Sequence, residues 1–362
     1  MKYKKNKFKI DESLNSEGES LGNENFKKNF EAAKKTHKNN KIKYKTKRPK
    51  SFWIKLIAIV CFLFTIIFLT IAYFFSGMKT DSGFDRSNEG LGLESSEKIN
   101  NSVTNIAVFG LDKRKGETVG RSDAIMVVSL DGIHKAIKIT SILRDTRLFI
   151  DGHGKDKLGH AFSYGGANLA VKTLNKNFKL DIRDYVALNF SQMIHIIDAF
   201  GGIDVKIFKG QVNEINGVIN STPEYRKSPR LKPFKEESKV VHLNGAQALS
   251  FARIRKKDNE HCRATRQQII VNLLCEKLSK MSAREFPGLL RRLMPYTETS
   301  LRIQDILAFV PFFINGKPTL KKDIIPHIHD KNLNYGLING VWYWTYDLKK
   351  YSKILHRFIY ET

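Results

Sequence analysis

Cysteine is scarce, with three in 362 residues. Cys61 lies in an apolar run, and Cys262 and Cys275 are thirteen positions apart in a stretch with helical spacing. A helix would hold those two roughly 20 Å apart, beyond the reach of a disulfide. Neither a cysteine framework nor a metal–thiolate spacing is present. Also missing are an internal repeat, a glycine-rich nucleotide loop and a Ser-His-Asp arrangement, so repeat architectures and those catalytic classes are set aside. One stretch, Leu56–Ser76, lacks charge altogether.

That uncharged run decides the expected topology. About 20 apolar residues cross a bilayer core as a helix, and Leu56–Ser76 is long enough. Trp53 and Tyr73 sit near its two ends, where amphipathic rings favour the interface. No small-residue cleavage site follows it, so a retained anchor is expected rather than a signal peptide. Residues 1–50 hold 16 Lys/Arg against 6 Asp/Glu within a formal net charge of +26. A basic tail before the span places the N-terminus in the cytoplasm and the rest outside. The expected plan is a disordered tail (1–55), one transmembrane helix (56–76), a Gly/Ser-rich flexible linker (77–102) and one extracytoplasmic domain (103–362). The location is then the cell membrane, single-pass. The tail suits anionic lipid. It has no folded recognition motif, so nucleic acid is not an expected partner.

The outer domain reads as α/β, a mixed β-sheet with helices on both faces. Val103–Leu111 has the apolar run of a buried strand, and Ala124–Ile142 reads as two strands joined at Asp131-Gly132. Ala170, Leu174 and Phe178 share a helical face. A second helix is expected after Ser191 as N-cap, stopped by Gly201-Gly202 before the strand IDVKI. A polar excursion (about 209–241) precedes a helix at NGAQALSF and a longer one from Arg263 to Lys280.

Charged clusters fall at the strand ends. GLDKR carries Asp112, GRSDAIM carries Arg121 and Asp123, and ILRDT carries Arg144 and Asp145. Open α/β sheets bind ligands at such ends; each cluster alone fits a surface ion pair or turn residue better, and it is three of them together that point to a site. The densest cluster is FARIRKKDNEHCRATRQQ, Phe251–Gln268. Arg253 and Arg255 share a face if extended, and Arg263 and Arg266 share one on a helix. Guanidinium forks match phosphate oxygens in pairs and stay charged at any working pH. Tyr185, Phe190, Ile194, Ile197, Phe200, Ile269, Leu273 and Leu274 suit an apolar groove, although ordinary core explains the same pattern. His160 and His195 read as structural.

In this order and spacing, GLDKR, GRSDAIM, SILRDT, KLGHAFSYGG, YVALNF, FGGIDV and LNGAQALSFARIR followed by DNEHCRATRQQ resemble the LytR-CpsA-Psr family over about 103–275. Leu143 stands where the family commonly has Pro, Glu260 where Asp is usual, and His261-Cys262 where Phe-Gly is common. The resemblance implies a phosphotransferase. It would move a glycopolymer of teichoic acid or capsular type from a polyprenyl-pyrophosphate carrier to peptidoglycan and form a phosphodiester. It implies phosphate contacts from Arg121, Arg144, Arg253, Arg255, Arg263, Arg266 and Gln267. Asp112 and Asp123 would then be ligands for Mg²⁺ or Mn²⁺, with an ion pair to a neighbouring arginine as the alternative for either. Asp258 or Glu260 would accept the acceptor's proton, and Arg144, Arg255 and Arg263 would act on the reacting phosphates. Two other readings use the same residues or the tail: a polyprenyl-pyrophosphate phosphodiesterase or pyrophosphatase, and a membrane-bound regulator of envelope genes.

Overall fold

A computed structural model of the chain describes residues 79–94, 99–112, 120–254, 260–282, 285–314 and 318–361, with six residues of the first 66. The chain divides into two units, Met1–Ile66 and Ile67–Thr362, and the sheet and its helices all belong to the second. The tail and the apolar run 56–76 lie outside the described residues but for those six. Among the described residues, no helix is long and apolar enough to cross a membrane.

The strands are β1 (Lys79–Thr80), β2 (Val103–Asp112), β3 (Arg121–Asp131), β4 (Ala136–Ile142), β5 (Arg147–Ile150), β6 (Gly154–Lys157) and β7 (Asp184–Asn189). Then come β8 (Ile203–Phe208), β9 (Ser238–Leu243), β10 (Glu298–Thr299), β11 (Thr319–Ile325), β12 (Asn334–Ile338) and β13 (Val341–Thr345). The helices are α1 (Asn88–Leu91), α2 (Leu158–Phe178), α3 (Phe190–Ala199), α4 (Gln211–Ser221) and α5 (Gly245–Ala252). They continue with α6 (Glu260–Lys280), α7 (Phe286–Leu293), α8 (Ile303–Ile314) and α9 (Leu348–Tyr360).

Seven strands form a mixed sheet in the order β1-β10-β7-β2-β3-β4-β11. β2 is antiparallel to β3 and parallel to β7, and β11 is parallel to β4. Alternate residues of β3 serve two cores. Ile125 and Val127 join Phe109, Leu174 of α2 and Leu355 of α9 on one face. Met126 and Leu130 join Ile139, Val271 of α6 and Phe309 of α8 on the other. Period-two burial on a strand covered by helices on both sides gives this layering. A third core gathers Ile197, Ile203, Ile215 and Phe251 from α3, β8, α4 and α5.

The expected hairpin forms, with Asp131 paired to Ala136. Its turn is held by Asp131 Oδ1, which accepts from the backbone N–H groups of Ile133 (3.1 Å) and His134 (3.0 Å). Asp131 Oδ2 meets the ammonium of Lys138, a fully buried lysine, at 2.7 Å. Lys138 also pairs with Glu361 Oε1 at 2.9 Å and donates to the Ile359 carbonyl at 2.7 Å, which locks the end of α9 to the sheet. A buried charge is tolerable only with such full pairing.

Three expectations change. Residues 79–94, read as part of a flexible linker, belong to the folded body. β1 extends the sheet edge, and Phe84 and Leu91 are buried in the main core. Asn189, not Ser191, caps α3. Its side chain accepts from Gln192 N while Gln192 Oε1 accepts from Asn189 N, a reciprocal box that Ser191 cannot make. The polar excursion contains α4, whose Val212, Ile215 and Ile219 face the third core.

Candidate functional site

The register of β2 and β3 slips at one point. Gly110 pairs with Ala124 and Leu111 with Ser122, so Asp123 is the extra residue of a β-bulge. A bulge re-aims a side chain and is common beside functional sites. Gly110 permits the close approach there, since a Cβ on it would lie 2.9 Å from Ala124 Cβ.

Asp123 is the hub of the charged cluster. Its Oδ1 accepts from Arg144 Nη1 at 2.5 Å and its Oδ2 from Arg263 Nη2 at 2.7 Å. The Asp123 and Arg263 side chains are 8% and 4% exposed, whereas Arg144 is 25% exposed and available to a ligand. Burial pushes the Asp123 pKa up, but the charges and hydrogen bonds of Arg263 and Arg144 prevail and hold it below the usual carboxylate value. Asp145 adds a second carboxylate, 3.6 Å from Arg144 Nε and 2.9 Å from Lys157 Nζ.

The start of α2 closes the floor. Gly159 N–H donates to the Arg144 carbonyl at 2.8 Å, and Leu158 N–H donates to the Thr146 carbonyl at 2.9 Å. A Cβ on Gly159 would lie 2.8 Å from the Ser122 carbonyl oxygen, so only glycine fits there without displacement. Asp112, Arg121, Asp123, Arg144, Asp145, Lys157 and His160 together line a polar cavity of about 250 Å³. His160 Nδ1 lies 2.9 Å from Asp156 Oδ2, and that carboxylate also accepts from Tyr164 (2.7 Å) and Tyr343 (3.1 Å). Burial comes first in setting the Asp156 pKa and raises it, but the hydrogen bonds from Tyr164, His160 and the Lys157 backbone N–H bring it down to about 2.

A second, apolar cavity of about 70 Å³ adjoins the bulge. Gly110, Ala124, Met126, Leu188, Phe190, Met193, Leu249 and Ile270 are among its walls, with Arg253 and Gln267 also lining it. Arg253 lies 4.5 Å over the Phe190 ring and donates to Tyr225 Oη at 3.2 Å. Ala124 lines the apolar cavity and Asp123, its neighbour on β3, lines the polar one. Consecutive residues at the bulge therefore line the two cavities.

The cavities sort the predicted residues. Asp112, Arg121, Asp123 and Arg144 come together in the polar cavity, with Arg263 reaching Asp123 from α6. Arg253 and Gln267 stand at the apolar cavity instead. Arg266 is buried, donates to the Ile254 carbonyl at 2.8 Å and lines neither cavity, so it fastens the chain leaving α5 to α6. Arg255, Asp258 and the Glu260 side chain lie outside the described residues. Of the eight expected groove residues, Phe190 alone lines the apolar cavity. Ile194, Ile197, Ile269, Leu273 and Leu274 belong to the third core and Tyr185 to the main one, which is the ordinary-core reading. Lys157 and Gly159 join the site although neither was singled out in the sequence. Their motif, KLGHAFSYGG, opens helix α2, with Lys157 at its N-cap, and that was the available signal.

The LytR_cpsA_psr family model matches residues 72–359. A polyisoprenyl-teichoic acid–peptidoglycan teichoic acid transferase TagU of Bacillus mycoides (strain KBAB4) is 29% identical over 263 residues, 72% of this chain and 79% of that protein. TagV of Bacillus subtilis (strain 168), described in the same terms, is 30% identical over 291 residues, 76% of this chain and 71% of that protein. The crystal structure of B. subtilis TagV superposes with a TM-score of 0.57 at 27% identity, covering 73% of this chain and 100% of that one. A structure of the LytR-CPS2A-psr family protein YwtF (TagT) with bound octaprenyl pyrophosphate lipid shares the fold, with a TM-score of 0.56 at 20% identity. It covers 75% of this chain and 98% of that one.

Proposed function

The chain belongs to the LytR-CpsA-Psr family, and from that membership we propose that it transfers a glycopolymer of teichoic acid or capsular type from a polyprenyl-pyrophosphate carrier to peptidoglycan. The observation that carries this reading is the pair of cavities at the bulge, an apolar one lined by Ala124 and a polar one where Arg121, Arg144 and Lys157 gather around Asp123. A prenyl pyrophosphate has that same division, an apolar chain ending in a dense anion.

In the reaction, a hydroxyl of the acceptor glycan attacks the phosphorus that bears the glycopolymer. A new O–P bond forms, the bridging P–O bond breaks, and polyprenyl phosphate leaves with the electron pair. Charge grows on the transferring and leaving oxygens, where preorganised cations act most strongly. Arg144 is placed to meet that charge. Arg263 and Asp123 hold its fork in position, and Lys157 and Arg121 add positive charge around it. Asp258 or Glu260 takes the hydroxyl proton in this proposal.

Asp112 and Asp123 suit a divalent cation, Mg²⁺ or Mn²⁺. They share one cavity, and carboxylate oxygens are the hard donors such an ion takes together with substrate phosphates. When bound, the ion would neutralise pyrophosphate oxygens. The run 56–76 is proposed as the single membrane span, with the tail cytoplasmic and the catalytic domain outside. Its lack of charge and the basic tail before it support that topology.

The test uses the full-length protein in detergent micelles with a polyprenyl-pyrophosphate-linked glycan and peptidoglycan oligomers. The expected product is glycopolymer joined to peptidoglycan through a phosphodiester, lost on chelation of divalent metal. Release of glycan phosphate to water with no joined product would identify a hydrolase instead. Full turnover in excess chelator would remove the metal. For topology, protease outside intact cells should cut beyond residue 77 and spare an N-terminal tag, and loss of the tag would reverse the orientation.

A further inference from the structure

The β12–β13 hairpin carries chemistry that the transfer reaction has not used. Its twelve residues Asn334–Thr345 contain no charge, in a chain with 62 Lys/Arg and 36 Asp/Glu. Tyr335 pairs across the strands with Trp344, and Leu337 with Trp342, so all four side chains share one face. Tyr335 is 68% exposed and Leu337 71%. The Tyr335 ring lies 5.2 Å from Trp344 and 6.2 Å from Trp342, and the two indoles meet edge to face at 5.0 Å. Asn332, Asn334 and Asn339 are exposed along its rim.

This face is built against the phosphate site. Trp344 N–H donates to the Asp145 carbonyl at 2.9 Å. The Trp344 side chain packs with Leu143 and Ala264, the neighbours in sequence of Arg144 and Arg263. From the opposite face of β13, Tyr343 donates to Asp156 and lies under the cations of Arg147 (5.5 Å) and Lys157 (5.9 Å). The hairpin thus packs behind Asp145 and Lys157, two residues that line the polar cavity, and carries a rigid aromatic shelf beside them.

We propose that this shelf is the docking site for the acceptor's glycan strand, which stacks its pyranose faces on Tyr335 and Trp342. The inference rests on the transferase reading above. A pyranose ring offers a face of weakly positive C–H groups, which complements the negative face of an aromatic ring. Its hydroxyl and acetamido groups both donate and accept, as do the side-chain amides of the rim asparagines. An anionic ligand would call for Lys or Arg on this face, which has neither. A saccharide seated here would bring a hydroxyl towards Asp145 and Arg144, while the donor's lipid occupies the apolar cavity on the other side of the bulge.

The experiment uses the full-length protein in detergent micelles and three variants, Tyr335→Ala, Leu337→Asp and Tyr335→Phe. The first two replace highly exposed side chains, so the fold should be retained. Each should raise the KM for peptidoglycan oligomers about tenfold, the scale of one lost stacking contact, with kcat and the KM for the lipid-linked donor unchanged. Tyr335→Phe keeps the ring and should behave as wild type. Uncharged β-1,4-linked N-acetylglucosamine oligosaccharides should quench hairpin fluorescence in a Trp53→Phe background, and Tyr335→Ala should weaken that binding by a similar factor. This binding arm needs no turnover, so it separates failure of the shelf from failure of the transferase reading. Wild-type oligosaccharide affinity in both Tyr335→Ala and Leu337→Asp would overturn the proposal. So would quenching of the hairpin tryptophans by brominated lipid in vesicles, which would assign the shelf to the membrane surface.

Discussion

The two ends of the central sheet both gather arginines and aspartates, and they use them in opposite ways. At the ends of β2 and β7 remote from the bulge, Arg86, Arg183 and Arg302 meet Asp181, Asp184 and Asp305 around a cavity of about 400 Å³. Arg86 pairs with Asp184 at 2.5 Å and Arg302 with Asp305 at 3.0 Å. Asp181 accepts from Ile99 N–H, Asn105 and Tyr360. Cations and carboxylates balance there, and their bonds tie the leading segment and the last helix to the sheet. At the bulge end, one carboxylate, Asp123, is shared by two guanidinium groups, and an apolar cavity adjoins. The larger cavity is therefore the structural one. Neither size nor charge count marks a site here. What marks it is one carboxylate held between two guanidinium groups beside an apolar cavity.

The comparison breaks most directly by Arg→Lys exchange at both ends. Arg144→Lys and Arg263→Lys should each cost on the order of 3 kcal/mol in the transition state, roughly a hundredfold in single-turnover transfer. Lysine keeps the charge but loses the planar fork. The loss should fall on kcat, since neither exchange touches the lining of the apolar cavity. Arg302→Lys at the remote end should change transfer by less than about threefold, as for an exposed ion pair. Equal losses at the two ends would erase the distinction between them.

Next in size is the crowding at Gly159. Gly159→Ala forces a methyl against the Ser122 carbonyl and the Arg144 backbone. The overpacking should cost about 1–3 kcal/mol, partly offset by a gain of up to about 1 kcal/mol in helix propensity. The melting temperature should fall, and transfer should fall with it because Arg144 is displaced. Gly217→Ala, in α4 with nothing within 4 Å of the new Cβ, should be neutral or slightly stabilising. A Gly159→Ala protein with wild-type melting and turnover would show that the approach of α2 does not set the clamp.

Much of the bulge end was legible in the sequence because it is local. Asp112, Arg121, Asp123 and Arg144 sit at the ends of strands whose apolar runs announce them, and the hairpin at Asp131-Gly132 brings β3 and β4 side by side. The bulge itself was hidden, since one extra residue leaves no mark on a short alternating pattern. The bond that Arg266 makes was hidden for a different reason. Helical spacing put it on the face of Arg263, but only the tertiary path of the chain leaving α5 decides that it serves a backbone carbonyl. The remote end was opaque. Its partners, Arg86, Asp184 and Asp305, are up to 219 positions apart, and polar residues 79–94 gave no hint that Phe84 and Leu91 are buried. α4 was readable in principle from Val212, Ile215 and Ile219, but the charged and Pro-containing residues after it obscured that short face.

The smallest expected effect concerns two half-buried carboxylates, which the two ends push in opposite directions. Burial is the largest influence on each and raises both. At Asp123 the two arginines outweigh it, and the pKa ends below the ordinary value. At Asp184 the Ser300 hydrogen bond and Arg86 do not outweigh it, Asp305 adds like charge, and the pKa ends above. The linkage signs follow. A lowered folded pKa gives Asp123 a stabilising contribution that is present above about pH 4, the unfolded value, and is lost as pH falls through the folded pKa. A raised folded pKa means that folded Asp184 holds its proton longer than unfolded Asp184, so stability declines as pH rises from about 4 through the folded value. Asp184→Asn also removes a partner of Arg86, so its absolute melting temperature mixes two effects, and the pH slope isolates the carboxyl. Melting of the full-length protein in detergent between about pH 4 and 7 should lose part of its downward trend in Asp184→Asn. The change should be no more than about 2–4 °C, equivalent to about 1 kcal/mol in a domain of this size. Asp123→Asn should leave that trend intact and flatten the acid limb below about pH 4 instead. An Asp184→Asn slope identical to wild type would show that Arg86 neutralises Asp184 as fully as two arginines neutralise Asp123, and the electrostatic contrast between the two ends would be lost.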